Sequence, residues 1–414
     1  MSLLLHTAIY FPGLQGKQHL LEQLENKRFP SSLKFLEGLT GYVFTAGTLL
    51  DFIKEELQHD LFFVQPVNGV SLATSSEGEQ KKAMLYHLLS LQPGYIILDE
   101  IFDNLDMAKQ DEVKEAVIKA SAHTTFIQLF GRKNDLLPFI DSILDSKDNS
   151  LQPIDKADLF QQAAISNEIN IPATITDNYS LPDPLIRFNN VNVAYNEKPI
   201  LKNINWQINK GDYWQLKGPN GSGKTTLLSM INGDNPKAYR QDIFLFGYQK
   251  GTGETIWDIK KHIGYFSQAI IRFFERGDSA ENMIAGGMAD TIGLYEKPSD
   301  GVMQLADEWL NVLGLVGQHK KNFQNFSAGH QRMILIARAM IKHPPLLILD
   351  EPTAGLNDAD AALIVSLINK IAAETTTAII FVSHRNEPGL SPDHIYELSP
   401  GEDGSVGNAI SMAK

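Results

Sequence analysis

Hydrophobic and polar positions follow two kinds of pattern along the chain. Short apolar runs such as YIILD from Tyr95 and LLILD from Leu346 predict buried strands, and the amphipathic stretches before them predict helices. The segment IRFNNVNVAY from Ile186 alternates as a half-buried strand does. Strands that alternate with helices are typical of a parallel sheet flanked by helices. The pattern therefore predicts an α/β fold.

The pattern occurs twice. SSEGEQKKAMLYHLLSLQPGYIILDEIFDNLD, from Ser75, is similar to FSAGHQRMILIARAMIKHPPLLILDEPTAGLN, from Phe326. We predict two tandem domains of related fold, residues 1–145 and 184–414, joined by a polar, proline-containing linker at 146–183. In the second copy the stretch from Tyr195 to Asp350 is much longer than the whole stretch that precedes the equivalent Asp99 in the first copy. We therefore expect the first domain to be truncated.

The composition adds limits to this architecture. The 414 residues, 43% of them hydrophobic, suffice for two cores, and the net charge of -13 is spread along the chain, which disfavours a nucleic-acid surface. The absence of cysteine excludes disulfides and thiolate metal sites. No apolar run approaches the roughly 20 residues that span a bilayer. We expect a cytoplasmic protein that is not itself membrane-spanning and that reaches the inner face of the cell membrane only through a partner.

The segment GPNGSGKTT lies between a predicted strand and a predicted helix. Its glycines allow a compact loop whose backbone N–H groups surround phosphate oxygens, and the following helix adds its positive dipole end. Lys224 is expected to reach the terminal phosphates of ATP, and the Thr225 hydroxyl to ligate Mg2+. The predicted ATP-binding loop comprises Gly218, Pro219, Asn220, Gly221, Ser222, Gly223, Lys224, Thr225 and Thr226.

Two acidic residues end the apolar run LLILDE. Open α/β sheets bind ligands at the carboxyl ends of their strands, so Asp350 and Glu351 stand where a nucleotide would lie. We predict that Asp350 holds the Mg2+ shell and that Glu351 polarises the attacking water.

With these residues in this order, the second half resembles the ABC ATPase family. The resemblance implies two tandem P-loop ATPase domains of the family's fold, which has a parallel-sheet core, an antiparallel β subdomain and a helical arm. The residue counts given above indicate that the first of the two is truncated. It implies that Tyr195 stacks on adenine, that Gln268 links the metal to the arm, and that His384 contacts the γ-phosphate. ATP with Mg2+ is then the expected ligand, and ATP hydrolysis the expected reaction.

Each half also carries a segment similar to the family signature. In this family two domains pack head to tail, so that the signature of one domain closes on the phosphate loop of the other. The second-half signature comprises Ser327, Gly329 and Gln331, with Ala328 in place of its first glycine. The first-half signature comprises Ser76, Gly78, Glu79 and Gln80.

The first half lacks other parts of the site. Its glycine-rich candidate, PGLQGKQ up to Gln18, is too short for a phosphate loop and is interpreted as an ordinary strand-to-helix turn. Gln65 stands too close to the signature for a helical arm to fit, and TTFIQLF is followed by no histidine. We expect one complete site, made by intramolecular pairing of the second-half loop with the first-half signature.

The second half is further similar to tandem ABC proteins of the molybdate-transport (ModF) and photorepair group. GDNPKAYRQDIFLFG, GETIWDIKKHIGY, KHPPLLILDEP and FVSHR carry this likeness. It implies the energy-coupling component of a transport system, with a membrane permease as partner. Two alternatives stay open: a soluble ABC ATPase that acts on the ribosome or DNA, for which IIRFFERG from Ile270 is the best nucleic-acid candidate, and an ATP-dependent switch.

Overall fold

The computed structural model describes residues 4–12, 16–59, 64, 71–147, 150–159, 170–174, 180–274, 277–290 and 296–412. The chain divides into two compact units. The first comprises residues 1–164 with 355–359, and the second residues 165–354 with 360–414. Each unit is described by itself below.

The first unit is built on a six-stranded sheet. Its strands are β1 (Thr7–Tyr10), β2 (Gly41–Phe44), β3 (Tyr95–Asp99), β4 (Thr125–Phe130), β5 (Ser142–Lys147) and β6 (Ser150–Pro153). Its helices are α1 (Lys17–Glu25), α2 (Ala46–His59), α3 (Glu77–Ser90), α4 (Met107–Ala120) and α5 (Lys156–Leu159). Five strands run parallel in the order β2-β3-β4-β1-β5, and β6 pairs antiparallel with β5. Alternate residues of β3 enter separate apolar clusters, as a strand covered on both faces requires.

The second unit repeats this sheet and adds another. Its strands are β7 (Ile186–Tyr195), β8 (Lys198–Ile208), β9 (Tyr213–Lys217), β10 (Asp242–Leu245), β11 (Tyr248–Gln249), β12 (Ile263–Ser267), β13 (Leu346–Asp350), β14 (Ala378–Val382), β15 (His394–Ser399) and β16 (Val406–Ser411). Its helices are α6 (Lys224–Ile231), α7 (Ile256–Lys260), α8 (Gln268–Ile271), α9 (Ala280–Ala285), α10 (Asp300–Val312), α11 (Ala328–Met340) and α12 (Asp358–Glu374). No helix in the described part of the chain is long and apolar enough to cross a bilayer.

The two large sheets have the same strand order. In the second unit β12-β13-β14-β9-β15 run parallel and β16 closes the edge antiparallel to β15. Thus β1 corresponds to β9, β3 to β13 and β4 to β14. The predicted α/β class and the relation between the two halves are confirmed. The predicted limits 1–145, 146–183 and 184–414 stay a prediction.

An antiparallel sheet in the order β11-β10-β7-β8 completes the second unit. The buried positions of β7 alternate, as its sequence predicts, and they share one apolar cluster with β9 and α6. A two-residue turn, Asn196 and Glu197 with φ of 48° and 65°, joins β7 to β8. The sheet therefore packs its apolar face beside the strand and helix that flank the glycine-rich loop.

The first unit is shorter in two connections. Residues 26–40 lead from α1 to β2, whereas residues 232–262 lead from α6 to β12 and carry β10, β11 and α7. Residues 45–76 lead from β2 to α3, whereas 268–327 lead from β12 to α11. The shorter connection still carries the 14-residue helix α2, so the expectation that no helix fits before the first-half signature was wrong, because β2 ends well before Gln65. These differences account for the predicted truncation of the first domain.

Burial keeps one histidine of the second unit neutral. The ring of His262 lies 5.1 Å from that of Phe246, centroid to centroid, and the residue is 5% exposed. Burial, with the charges of Lys261 and Lys342, lowers the pKa of His262 from 6.5 to about 4. The folded state therefore prefers the neutral ring, and stability is lost as the pH falls below 6.5, where the unfolded chain takes up the proton first.

We expect His262→Gln to flatten the acid side of the pH-stability curve. Between pH 7 and pH 5 the free energy of unfolding of the unchanged protein should fall by on the order of 1–2 kcal/mol more than that of the variant. Urea unfolding followed by tryptophan fluorescence measures the difference. His319→Gln, which replaces an exposed imidazole of the same unit, should keep the original pH dependence. The same flattening in both variants would contradict the assignment to His262.

Candidate nucleotide-binding site

The loop between β9 and α6 turns at glycines with positive φ. Gly218 has φ of 153°, and Gly223, which directly precedes α6, has φ of 94°. A Cβ atom at Gly218 would lie 2.6 Å from the Ser222 hydroxyl, and one at Gly223 would lie 2.7 Å from a methyl group of Leu201. Only glycine meets both the conformation and the space. The loop therefore leads directly into the N-terminus of α6, and the N-terminal end of a helix favours a bound anion.

The side chains of this loop fit a polyphosphate. The Lys224 ammonium donates to the carbonyl oxygens of Gly218 at 2.7 Å and Pro219 at 3.0 Å, so it lies across the loop. The Ser222 hydroxyl is buried and has no hydrogen-bond partner among the described residues. Since a buried unpaired hydroxyl is costly, a phosphate oxygen in the loop would satisfy it. The remaining loop residues are the exposed Asn220, Gly221 and Thr225 and the half-buried Thr226.

Asp350 ends β13 within reach of the loop. Burial raises the pKa of Asp350, Glu351 raises it further, and the Lys224 ammonium acts against both because it lies close by. Tyr265 of the neighbouring β12 forms a hydrogen bond with Asp350. The structure thus brings the predicted phosphate-binding lysine and the predicted metal-binding carboxylate together. The sequence did not point to Tyr265, whose only signal was its place in the strand HIGYFS.

Glu351 and His384 face each other at adjacent strand ends. Glu351 has φ of 51°, and its N–H donates to the carbonyl of Val382 at 3.1 Å, which turns the side chain out of the strand. Its carboxylate lies 3.0 Å from Nδ1 of His384. Within the described part of the chain, Nε2 of His384 and one oxygen of Glu351 are buried and lack hydrogen-bond partners. A buried polar atom without a partner is costly, so an oxygen atom bound at this edge would stabilise Nε2 of His384.

Two further predicted site residues, Tyr195 and Gln268, lie at the end of β7 and at the start of α8. Tyr195 ends β7 and is 38% exposed, and the Lys237 ammonium lies 5.8 Å from the ring centroid. Gln268 begins α8, and its Nε2 atom donates to the carbonyl of Ala354 at 2.9 Å. The glutamine therefore joins the arm-side helix to the segment that follows the acid pair. Its contact with a metal stays a prediction.

The second-half signature begins α11. Ser327 caps the helix: its hydroxyl accepts from the N–H of His330 at 3.3 Å and lies 2.7 Å from the imidazole Nδ1. A Cβ atom at Gly329 would lie 2.4 Å from the carboxyl carbon of Asp360, so the glycine is required by close packing. The amide of Gln331 donates to two carbonyl groups of the preceding turn.

The first-half signature begins α3 in the same way. The Glu79 carboxylate accepts from the N–H of Ser76 at 2.9 Å and from its hydroxyl at 2.7 Å, forming a capping box. A Cβ atom at Gly78 would lie 2.6 Å from the side chain of Lys109. The Gln80 amide donates to the carbonyl of Leu72 at 2.9 Å. The two signatures thus differ in charge, because a carboxylate stands here where the second half has His330.

A lysine of the first unit stands where Lys224 stands in the second. Gly16, with φ of 79°, precedes Lys17 at the start of α1. The rest of PGLQGKQ between Pro12 and Gly16 lies outside the described residues. The Lys17 ammonium lies 2.7 Å from Asp99 and 3.0 Å from Glu100, the acid pair that ends β3. The strand, glycine, lysine and helix are therefore retained, but the lysine is held by internal carboxylates.

Burial opposes the charged forms of all three groups. It raises the pKa of Asp99 and Glu100, whereas for Lys17 the two carboxylates outweigh burial and raise the pKa. The N–O distances of 2.7 Å and 3.0 Å are those of charge-assisted hydrogen bonds, so we assign an ammonium ion at Lys17 that pairs with the two acidic residues.

The ends of β2 and β4 show which first-unit residues correspond to Gln268 and His384 of the second unit. Gln65 lies outside the described residues, and Thr45 is the residue that follows β2, as Gln268 follows β12. Gly131 and Arg132 follow β4, where the second unit has Ser383 and then His384. Among the described residues, carboxylate oxygens of Glu100, Asp103 and Asp135 lie within 4.8 Å of one another. This acidic cluster lies beside the ammonium of Lys17.

Known proteins are similar to this chain in sequence. A family model described as ABC transporter matches residues 201–354. The ABC transporter ATP-binding protein ModF of Escherichia coli (strain K12) is 39% identical over 75% of this chain and 67% of that protein. An uncharacterized ABC transporter ATP-binding protein of Schizosaccharomyces pombe is 30% identical over 76% of this chain and 66% of that protein. The chain thus spans about two thirds of the length of both relatives.

A solved structure resembles the fold at lower identity. It is the archaeal ribosome recycling factor aABCE1 in complex with the ribosomal stalk protein aP1. The TM-score is 0.65 and the identity 15%, over 99% of this chain and 86% of that chain. At this identity the likeness concerns the fold alone.

The two equivalent lysines should respond differently to substitution. Lys17→Met leaves two largely buried carboxylates without their cation, and we expect a loss of about 2–3 kcal/mol in the free energy of unfolding. Addition of Asp99→Asn and Glu100→Gln should recover most of it. Lys224→Met removes an ammonium that donates to loop carbonyls, and the expected loss is below about 1 kcal/mol.

Urea unfolding of the four proteins checks these values. Lys224→Met is the matched control, since it removes the same side chain from the same point of the same fold. Equal losses from the two lysine substitutions would show that the ion pairs of Lys17 contribute nothing to stability.

Proposed function

Because this chain belongs to the ABC transporter family of ATP-binding proteins, we propose that its second unit binds ATP with Mg2+ and hydrolyses it. One observation carries the proposal: the anion-binding loop at α6, the carboxyl group of Asp350 and the paired Glu351 and His384 meet at one edge of the sheet. A polyphosphate, a divalent cation and a water molecule each find a suitable group there.

The binding role falls to the loop and to Tyr195. The backbone N–H groups of residues 218–224 and the Lys224 ammonium would hold the phosphates, and the half-exposed ring of Tyr195 would stack on adenine. Thr225 and Asp350, with Gln268, would hold Mg2+. The ion would neutralise charge on the terminal phosphates.

The chemical role falls to Glu351 and His384. Glu351 would orient the attacking water and take its proton as the water oxygen bonds to the γ-phosphorus. The bond from that phosphorus to the bridging oxygen of ADP breaks, and the electron pair leaves with ADP. His384, whose Nδ1 is engaged by Glu351, would present Nε2 to the γ-phosphate.

We propose a single complete site. In the first unit the charge of Lys17 is neutralised by Asp99 and Glu100, so this lysine is not available to a polyphosphate as Lys224 is. The first-unit signature, with Ser76, Gly78, Glu79 and Gln80, would instead close on the second-unit loop by intramolecular head-to-tail pairing. The second signature, with Ser327, Gly329 and Gln331, would then face a silent site.

Within the family, we propose that ATP hydrolysis drives a membrane permease. A groove of about 420 Å³ lies beside α8, whose residue Ile270 lines it together with the aromatic rings of Trp257, Phe273 and Phe274. Trp257 is 70% exposed and Phe273 60% exposed, and large exposed apolar side chains mark contact surfaces. The likeness to ModF favours transport, and a molybdate-type cargo would be selected by the permease rather than by this chain.

Two other functions would use the same ATP site. A soluble ATPase that acts on the ribosome or DNA would need a basic or stacking surface, and IIRFFERG offers Arg272 and exposed Phe273, while Glu275 and Arg276 lie outside the described residues. An ATP-dependent switch would need binding with little turnover. The experiments below separate these from transport.

Glu351→Gln should abolish ATP turnover while ATP binding is retained, because the amide cannot take the proton of the attacking water. Phosphate release would fall by at least about 10²-fold. Glu100→Gln, the matched change in the first unit, should leave turnover within about twofold because no nucleotide is expected there. Phosphate release and equilibrium binding of labelled ATP measure the two steps.

Equal losses from Glu351→Gln and Glu100→Gln would overturn the assignment of a single site. Specific activity that rises steeply with protein concentration would replace intramolecular pairing with pairing between two chains. Normal ATP binding with no measurable turnover in the unchanged protein would favour the switch.

The double substitution of Trp257 and Phe273 by alanine should release the chain from its membrane partner. We expect the tagged full chain to be recovered with detergent-solubilised membranes of its source cells, and the double variant to be recovered at no more than about one tenth of that level. Val316→Ala, which removes an exposed apolar side chain elsewhere in the same unit, is the control and should bind normally. Recovery with ribosomes or DNA in place of membranes would favour the soluble alternative.

A further inference from the structure

Tyr195 lies at the tip of the hairpin formed by β7 and β8, where it pairs with Lys198. It is the last residue of β7 and precedes the two-residue turn of Asn196 and Glu197. The residue is 38% exposed, so packing covers only part of it. A ring that stacks on a base must keep its plane and position, and the tip of a hairpin offers little to fix them.

The buried side-chain amide of Asn235 forms hydrogen bonds with the phenol group of Tyr195. Asn235 is 4% exposed and lies in the segment after α6. Its Nδ2 atom donates to the phenol oxygen of Tyr195 at 2.9 Å and to the Ser229 hydroxyl at 2.9 Å. The phenol oxygen also lies 3.2 Å from Oδ1 of the amide. These bonds join two segments that are 40 positions apart in the chain.

The bonds continue to the phosphate-binding loop. Ser229 donates its hydroxyl hydrogen to the carbonyl of Thr226 at 2.7 Å, and the N–H of Asn235 donates to the carbonyl of Ser229 at 3.1 Å. Thr226 is the last residue of the segment GPNGSGKTT. The phenol group is therefore linked, through one amide and one hydroxyl, to the end of the loop that would hold the phosphates.

A capping role for Asn235 explains only part of this geometry. Its Oδ1 atom accepts from the N–H of Lys237 at 2.9 Å and so caps the short turn that follows. Capping uses the oxygen and would be served as well by serine or aspartate. Capping does not explain the bonds that Nδ2 makes. Its two hydrogens are donated to the phenol oxygen of Tyr195 and the hydroxyl of Ser229.

We propose that Asn235 is a positioning residue, which holds the ring of Tyr195 at the distance from the phosphate loop that adenine of ATP requires. This inference rests on the proposed binding of ATP by the second unit. Asn235 itself does not touch the nucleotide. It fixes the distance between the Tyr195 ring, which would contact the base, and the loop, which would contact the phosphates. It therefore raises the affinity for ATP without changing the affinity for a triphosphate that lacks the base.

The test compares ATP with inorganic tripolyphosphate, which lacks the base. Titration calorimetry on the full chain would use Asn235→Ala, Tyr195→Phe, their double variant and Tyr195→Ala. We expect Asn235→Ala and Tyr195→Phe each to weaken ATP binding about fivefold to tenfold, the worth of one hydrogen bond. The double variant should be no weaker than either single one, because both remove the same bond. Tyr195→Ala should lose more, since the stacking surface itself is removed.

The second ligand separates positioning from general damage. Tripolyphosphate should bind all the variants as it binds the unchanged protein, and KM for ATP should rise while kcat stays constant. Equal losses for ATP and tripolyphosphate in Asn235→Ala, or unchanged ATP binding in Tyr195→Phe, would refute the positioning role. Because Tyr195→Phe removes the bond from the exposed side and keeps the ring, it tests the idea even if Asn235→Ala folds poorly. Failure of the unchanged protein to bind ATP would refute the proposed function instead.

Discussion

Parallel pairing of the strands is the constraint on which the site depends. In a parallel sheet all the carboxyl ends reach the same edge, so whatever follows β9, β12, β13 and β14 is brought together there. The glycine-rich loop follows β9, the acid pair ends β13, and His384 comes soon after β14. Positive φ at Glu351 then turns its carboxylate toward the histidine of the next strand. The order of the strands decides which side chains meet, and the backbone at each strand end decides how they point.

The first unit keeps the constraint and changes the chemistry. Its strands have the same order, and Glu100 has the same positive φ as its counterpart Glu351. A lysine still opens the helix after the first strand, but its ammonium lies against Asp99 and Glu100. An internal ion pair thus occupies the position at which the second unit would place phosphate and metal charges. A buried charge needs an opposite charge beside it. In the first unit Lys17, Asp99 and Glu100 supply this to one another, so the fold can be preserved without a bound nucleotide.

Much of this could be predicted from the sequence, because it depends on local patterns. The buried runs before Asp99 and Asp350 indicated strands, and their repetition indicated two related halves, both of which the structure confirms. The first-unit counterpart of Gln268 could not be identified from residue types alone. The sequence offered Gln65, which lies outside the described residues, whereas the strand β2 ends at Phe44 and places Thr45 at the position equivalent to Gln268. A short strand such as GYVF carries too weak a pattern for its register in the sheet to be predicted.

The sequence by itself determined the glycine-rich loop, the acid pair and the signatures, because each is a run of consecutive residues whose conformation and chemistry are set by near neighbours. Only the tertiary structure decided which distant groups complete them. The bond from Asn235 to Tyr195 crosses 40 positions, and that from Lys17 to Glu100 crosses 83. Contacts of this kind follow from the order and packing of strands rather than from local preference. Lys17 and Lys224 therefore look alike in the sequence, and only the fold places one of them against two carboxylates and the other across a glycine-rich loop.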